Sequence, residues 1–249
     1  IQMVEHSMYT NNWNYQDKFR EIVNTTGGKT DAGYVLSPGC MIVTTSSITS
    51  ESSFLFDYVN IDSAAPGYER LAEFNTHLPH LDFKQSQRTG NDFHENGPMK
   101  YSPGAFKHMS VGFILAGISL ETSFDLTNQP GAKVTKLISS DTLAMNDPFY
   151  RIQGTESQIS EFKSYLSRVV NPSSFSLPTE FKNMMLPSCK ATIIVFTMNL
   201  CEYDELFRKL IEPHGSEFKE ILSLMCDKLS RSYPLAIRPT KEYRNENKV

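Results

Sequence analysis

The sequence lacks paired cysteines. Its four, Cys40, Cys189, Cys201 and Cys226, are far apart in a chain of 249 residues and form no C-x-x-C motif. That pattern excludes a zinc ribbon and a disulfide scaffold and points to reduced, buried thiols. Positive charge is not in excess either: 24 Lys and Arg against 28 Asp and Glu leave a net charge of −4. There is no basic footprint for duplex DNA or RNA, although a few placed cations suffice for a mononucleotide phosphate. No apolar run approaches the roughly 18 residues of a membrane span. The start, Ile1-Gln2-Met3, shows no signal-peptide order, and its missing initiator Met suggests that the gene starts earlier. A cytoplasmic, reducing location is the expectation. The glycines supply neither a P-loop nor a G-x-G-x-x-G turn, and no serine sits in G-x-S-x-G. These absences argue against P-loop NTPases, kinases, dinucleotide-binding dehydrogenases and serine hydrolases.

What is present is enough apolar sequence, 39%, to build a core without staples. Tyr15, Phe19, Ile22 and Val23 recur at helical spacing and stop at Gly27-Gly28. Met41-Ile42-Val43 and Phe54-Leu55-Phe56 read as strands or as buried loop anchors. Residues 76–104, rich in Asn, Gly, Pro and His, read as an irregular insertion. His108 to Leu120 is mostly apolar and small, as in a buried strand that feeds a helix; that helix starts near Ser119 and ends at Pro130-Gly131. Thr155 and Gln158 form a capping box for a helix to Asn171, with Ile159, Phe162, Leu166 and Val169 on one face. Thr192 to Phe196 is a buried β-branched run. A last long helix covers 216–232, capped by Ser216 and buried through Ile221, Leu224, Met225 and Leu229. The polar tail from Thr240 reads as frayed. The fold class is α+β with a helix-rich C-terminal half, in one domain over 1–249.

Two constellations invite a chemical reading. His77, His80 and Asp82 read H-x-x-H-x-D, with His94 and Glu95 beyond. Imidazole and carboxylate ligate metals, but a loop does not fix the geometry of this spacing, and no metal site is assigned. Cys201 beside Glu202 is either a nucleophile or a buried structural thiol, and burial is the commoner state.

Two longer segments carry a resemblance. The first is Phe106-Lys107-His108-Met109-Ser110-Val111-Gly112-Phe113-Ile114-Leu115-Ala116-Gly117-Ile118-Ser119. The second runs from Met185-Leu186-Pro187 through Asn199 and Pro213-His214 to Pro234. Together, with a helix between them, they resemble the flavin-dependent thymidylate synthases. Phe106, His108, Phe113, Gly117 and Ser119 match the first family pattern without a gap. Leu186-Pro187, Asn199, Pro213-His214 and Pro234 fall at nearly the family spacing.

The departures fall on the family's signature, R-H-R followed by x7-S-x-R-Y. Here Asn128, Gln129 and Pro130 replace R-H-R, and Ile138, Ser140 and Asp141 replace Ser, Arg and Tyr. The family's N-x-R becomes Asn199-Leu200-Cys201, its next arginine becomes Leu210, and the Glu before His108 becomes Lys107. A buried phosphate needs charge-assisted donors, each worth about 1.5–3 kcal/mol, and several are gone.

The resemblance therefore implies the thymidylate synthase-complementing-protein-like fold, an oligomer with itself or a related chain, and a non-catalytic, regulatory or scaffolding role. It assigns no catalytic residue. It implies His108 and Asn199 as the remaining contacts for FAD, whose retention is in question. An alternative is an enzyme of altered chemistry that binds flavin and a pyrimidine nucleotide such as dUMP, with Lys133, Lys136 and Arg151 as substitute phosphate donors. A second alternative is an unrelated structural or interaction protein.

Overall fold

Helical spacing at Phe19, Ile22 and Val23 becomes α1, Tyr15–Thr25. In this computed structural model the described residues are 15–47, 68, 71, 72, 75, 103–136, 149–170, 188–234 and 236–245. The run 54–56, most of the insertion at 76–104 with its histidines, Ile138, Ser140, Asp141 and Leu186-Pro187 lie outside them.

After α1 come β1 (Lys29–Asp31), β2 (Tyr34–Ser37) and β3 (Gly39–Thr45). A 3-10 turn at Pro103–Phe106 precedes β4 (Ser110–Ser119), which passes directly into α2 (Leu120–Thr127). Then follow β5 (Lys133–Lys136), β6 (Tyr150–Arg151) and α3 (Glu156–Val170). The C-terminal half holds β7 (Ala191–Asn199), α4 (Leu200–Arg208), α5 (Ser216–Ser232) and α6 (Thr240–Asn245). The α+β class and the helix-rich C-terminal half are both present. So are the expected helices at 155–170 and 216–232, within a residue at their starts.

The chain forms two compact units. Unit 1 comprises 1–39, 115–121 and 136–193; unit 2 comprises 40–114, 122–135 and 194–249. Unit 1 carries a three-stranded sheet ordered β1-β2-β6. β1 and β2 make a hairpin in which Asp31 pairs with Tyr34, so the loop is Ala32-Gly33 alone. Both residues have positive φ, 28° and 84°, as a two-residue hairpin turn requires. β6 lies parallel to β2. Phe19 stacks on Phe149 with ring centroids 4.7 Å apart, and Val23 and Val35 are fully buried. Gly117 sits against them in a left-handed conformation, φ 75°. A Cβ there would come within 2.8 Å of Val35, so the matched glycine has a packing reason.

A second sheet is ordered β3-β4-β7-β5. β4 and β7 run antiparallel: Leu200 N donates to Met109 O at one end and Leu120 N to Lys190 O at the other, both at 2.9 Å. In unit 2 the core centres on Tyr203 of α4. Its ring meets Phe113 edge-on at 5.7 Å and stacks on Phe207 at 5.8 Å, and Phe207 meets Tyr243 edge-on. The Tyr203 hydroxyl donates to Val111 O at 3.0 Å. Burial pushes this phenol well above its usual range.

Two expectations need correction. The tail from Thr240 is ordered as α6, because Tyr243 is buried and its hydroxyl donates to Asp204, while Thr240 donates to Asp227 at 2.6 Å. Gly215, rather than Ser216, is the N-cap of α5, and no side chain caps it.

Candidate functional site

Asn199 ends β7 and begins α4. Extended dihedrals, φ −81° and ψ 163°, make it the N-cap. Its Oδ1 accepts from Glu202 N at 2.9 Å, and Glu202 Oε2 accepts from Asn199 N at 3.0 Å. This capping box satisfies two orphan amides, and it occupies the one side-chain oxygen that Asn199 has. The antiparallel pairing of β4 with β7 puts Asn199 beside Met109, where β4 starts. His108, exposed in the turn before β4, is thereby brought to the same corner.

Two of the departures from the family pattern meet here. Cys201 is the second residue of α4. Burial and the acidic residues of α4, Glu205 first, push its thiol up, and Lys107 opposes them. Lys107 and Cys201 hold positions where the family pattern has Glu and Arg. The cation of this pair now stands on the strand side of the corner, and a neutral thiol stands on the helix side. Cys201 is therefore a thiol kept protonated in an acidic surrounding, which argues against a nucleophile.

The stretch that replaces R-H-R adjoins the same helix. α2 leads into it, and Asn128 N donates to Phe124 O at 3.0 Å. Gln129 donates to Asp125 O and accepts from Lys209 Nζ, each at 2.6 Å. Gly131 is left-handed, φ 78°, and the Glu202 carboxylate fills the space where a Cβ would stand. So a helix leads into 128–130, and Glu202 at the start of α4 lies beside the turn. What faces the turn is a carboxylate. The nearby ammonium of Lys209 is engaged by Gln129.

Lys133 and Lys136 are exposed on β5, the edge strand next to β7. Arg151 belongs to unit 1 and is buried at 5% exposure. Its Nη1 donates to Leu36 O at 2.7 Å, Ile152 O at 2.9 Å and Val35 O at 3.3 Å, bracing β2 against β6. His108, Asn199 and Lys133 thus lie in unit 2, and Lys136 and Arg151 in unit 1. Among the described residues, no group of three metal-ligating side chains occurs.

Sequence reasoning passed over Lys190, a lysine just before β7 with 1% exposure. Burial lowers its ammonium to about 8. A single lysine in an apolar stretch carries no local signature.

No family model matches the chain, and no curated protein matches it by sequence. Solved structures do match by shape. Thymidylate synthase X from Helicobacter pylori, crystallised with FAD and dUMP, superposes with a TM-score of 0.60 at 12% identity, covering 83% of this chain and 99% of that one. The UMP/dUMP methylase PolB from Streptomyces cacaoi, bound with 5-Br dUMP, gives 0.52 at 10% identity over 81% and 93%.

Proposed function

We propose that this chain, which has the fold of the flavin-dependent thymidylate synthases, is a non-catalytic member of that scaffold and acts as a regulatory or structural subunit. The observation that carries this reading is the turn at 128–131. In the family pattern those positions are cationic. Here they are Asn128, Gln129 and Pro130, closed over by Gly131 against the Glu202 carboxylate. A phosphate at this corner would meet like charge within a partly desolvated site, where repulsion is strong. The residues present do not fit the anionic substrate in the family's manner, and no catalytic step is derived through it.

For a flavin, His108 and Asn199 are what remains, and Asn199 has spent its carbonyl on the cap. An oligomer, with itself or with a related chain that supplies the missing cations, is part of the reading. Exposed Phe124 on α2 and Met41 and Val43 on β3 are apolar side chains that such a partner would cover. The four free thiols suit the cytoplasm, and among the described residues no helix is long and apolar enough to cross a membrane.

The test is a tritium-release assay on the pure protein with dUMP, FAD, NADPH and methylenetetrahydrofolate. No turnover is expected, since even one lost donor at a developing charge costs about 10²–10³ in rate. Sustained turnover without a partner would overturn the proposal.

One observation favours a second reading. Lys133 and Lys136 are exposed on the strand that follows the altered turn. They would offer a pyrimidine nucleotide other cations, in an enzyme of altered chemistry; Arg151, buried on the carbonyls of β2 and of Ile152, does not join them. Flavin absorbance of the purified protein separates the two readings: its presence with nucleotide binding favours the second.

A further inference from the structure

Lys190 is held in the middle of a ladder. On one side its carbonyl accepts from Leu120 N at 2.9 Å. On the other it bridges Tyr150 of β6 in antiparallel pairing, flanked by Arg151 N to Cys189 O at 2.7 Å and Ala191 N to Phe149 O at 2.8 Å. Those flanking bonds make Lys190 and Tyr150 a non-hydrogen-bonded pair, the arrangement in which opposite side chains approach most closely. Along its own strand, Thr192 is two residues on and so points to the same face. Lys190 and Thr192 are each 1% exposed.

Neither polar tip is satisfied. The Thr192 hydroxyl is buried and has no hydrogen-bond partner among the described residues. The Lys190 ammonium has no acceptor and no acidic neighbour among them, and desolvation is the sole cause of its lowered pKa. The titratable groups around it do not compensate. Tyr150 is opposite, and Arg151 beside it turns its own cation to the carbonyls of β2 and of Ile152. Cys189 precedes it. Glu121, from the start of α2, is exposed and accepts from Ser188 Oγ at 3.4 Å. Lys163 of α3 lies over the Tyr34 ring at 4.6 Å. Buried polar groups without partners are rare and costly. An amine and a hydroxyl adjacent on one strand face share a need for acceptor oxygens, and the amine needs a negative charge.

We propose that Lys190 and Thr192 form a binding site in unit 1 for an oxyanion, the phosphate or carboxylate group of a small ligand. One oxygen accepts a charge-assisted bond from Lys190 Nζ and another accepts from Thr192 Oγ1; the Tyr150 ring flanks the lysine stem. This assignment is independent of the role proposed for the chain as a whole. A bound anion holds Lys190 protonated, so affinity falls by up to about tenfold per pH unit above about 8.

The experiment follows amine acetylation at Lys190 by mass spectrometry in the full chain, with inorganic phosphate or acetate as probe. Saturable slowing of several-fold at Lys190, with exposed Lys133 unaffected, is expected. Protection by phosphate alone assigns the site to phosphate groups, and protection by acetate as well assigns it to carboxylates too. Labelling unchanged by either anion overturns the proposal. Phosphate should also raise the melting temperature of the wild type but not of Lys190→Met; an equal rise in both overturns it. Thr192→Val keeps the amine and should weaken protection several-fold, which decides the matter if Lys190→Met does not fold.

Discussion

The two units differ in how completely their buried polar groups are satisfied. In unit 2 the buried hydroxyls are spoken for: Tyr203 donates to Val111 O, Tyr243 to Asp204, and Thr240 to Asp227. The Cys226 thiol, pushed up to about 11 by burial, donates to Arg238 O at 3.2 Å. In unit 1 two cations, Lys190 and Arg151, are buried, and the buried hydroxyl oxygens of Thr30 and Thr192 have no hydrogen-bond partner among the described residues. A satisfied buried network specifies one structure, and an unsatisfied one lowers stability unless a ligand completes it. Unit 2 reads as the part built for rigidity, unit 1 as the part that retains capacity for polar recognition.

That contrast breaks most visibly at Tyr203. Tyr203→Ala should cost about 3–5 kcal/mol in urea unfolding, because it removes the ring at the centre of the aromatic cluster. Tyr203→Phe should cost about 1–2 kcal/mol through the lost hydroxyl bonds. A smaller loss for Tyr203→Ala than for a surface residue would end the claim that unit 2 is organised around it.

In unit 1 the sign inverts. Lys190→Met should stabilise the ligand-free protein by on the order of 1–3 kcal/mol, since it removes a buried cation without a counter-charge. The pH dependence follows. Folded Lys190 releases its proton near 8 and the unfolded lysine near 10.5, so between those values the unfolded chain binds more protons. Stability should therefore rise with pH across that window in the wild type, and this contribution should vanish in Lys190→Met. Thermal unfolding at several alkaline pH values measures it; destabilisation by Lys190→Met would show that Lys190 has a partner.

Asn199→Ala should cost about 1 kcal/mol, the usual worth of an N-cap, and loosen the start of α4 in amide exchange. The smallest effect belongs to Arg208. Its ion pair with Asp204 at 3.0 Å is exposed on the arginine side, and Arg208→Ala should change stability by less than about 1 kcal/mol.

Much of the frame was legible in the sequence because it rests on local periodicity. α1, α3 and α5 announce themselves through apolar spacing, and β4 through an unbroken buried run that enters α2. The missed pieces have tertiary causes. α4 was read only as a stretch matching N-x-R, although Asn199 and Glu202 spell a capping box and Leu200, Tyr203, Leu206 and Phe207 lie on one face. α6 was read as frayed because its composition is polar, and two buried residues, Thr240 and Tyr243, decide its fate. At the candidate corner, the altered residues could be listed from sequence. That Lys107 opposes Cys201, or that Glu202 closes over Gly131, depends on two strands being antiparallel, which no local pattern records.

The Tyr203 hydroxyl has a consequence for the order of folding. It reaches Val111, 92 residues earlier in the chain, and its ring cluster is completed by Tyr243 of α6. A six-residue helix cannot persist on its own, so α6 forms by docking. Unit 2 is gathered from three separate stretches of chain, and its core cannot close while the segment around Tyr243 is still being synthesised. Long-range closure of this kind is slow. Until it happens, the apolar faces of β4 and α4 stand open, and they are where misassembly of this protein would begin.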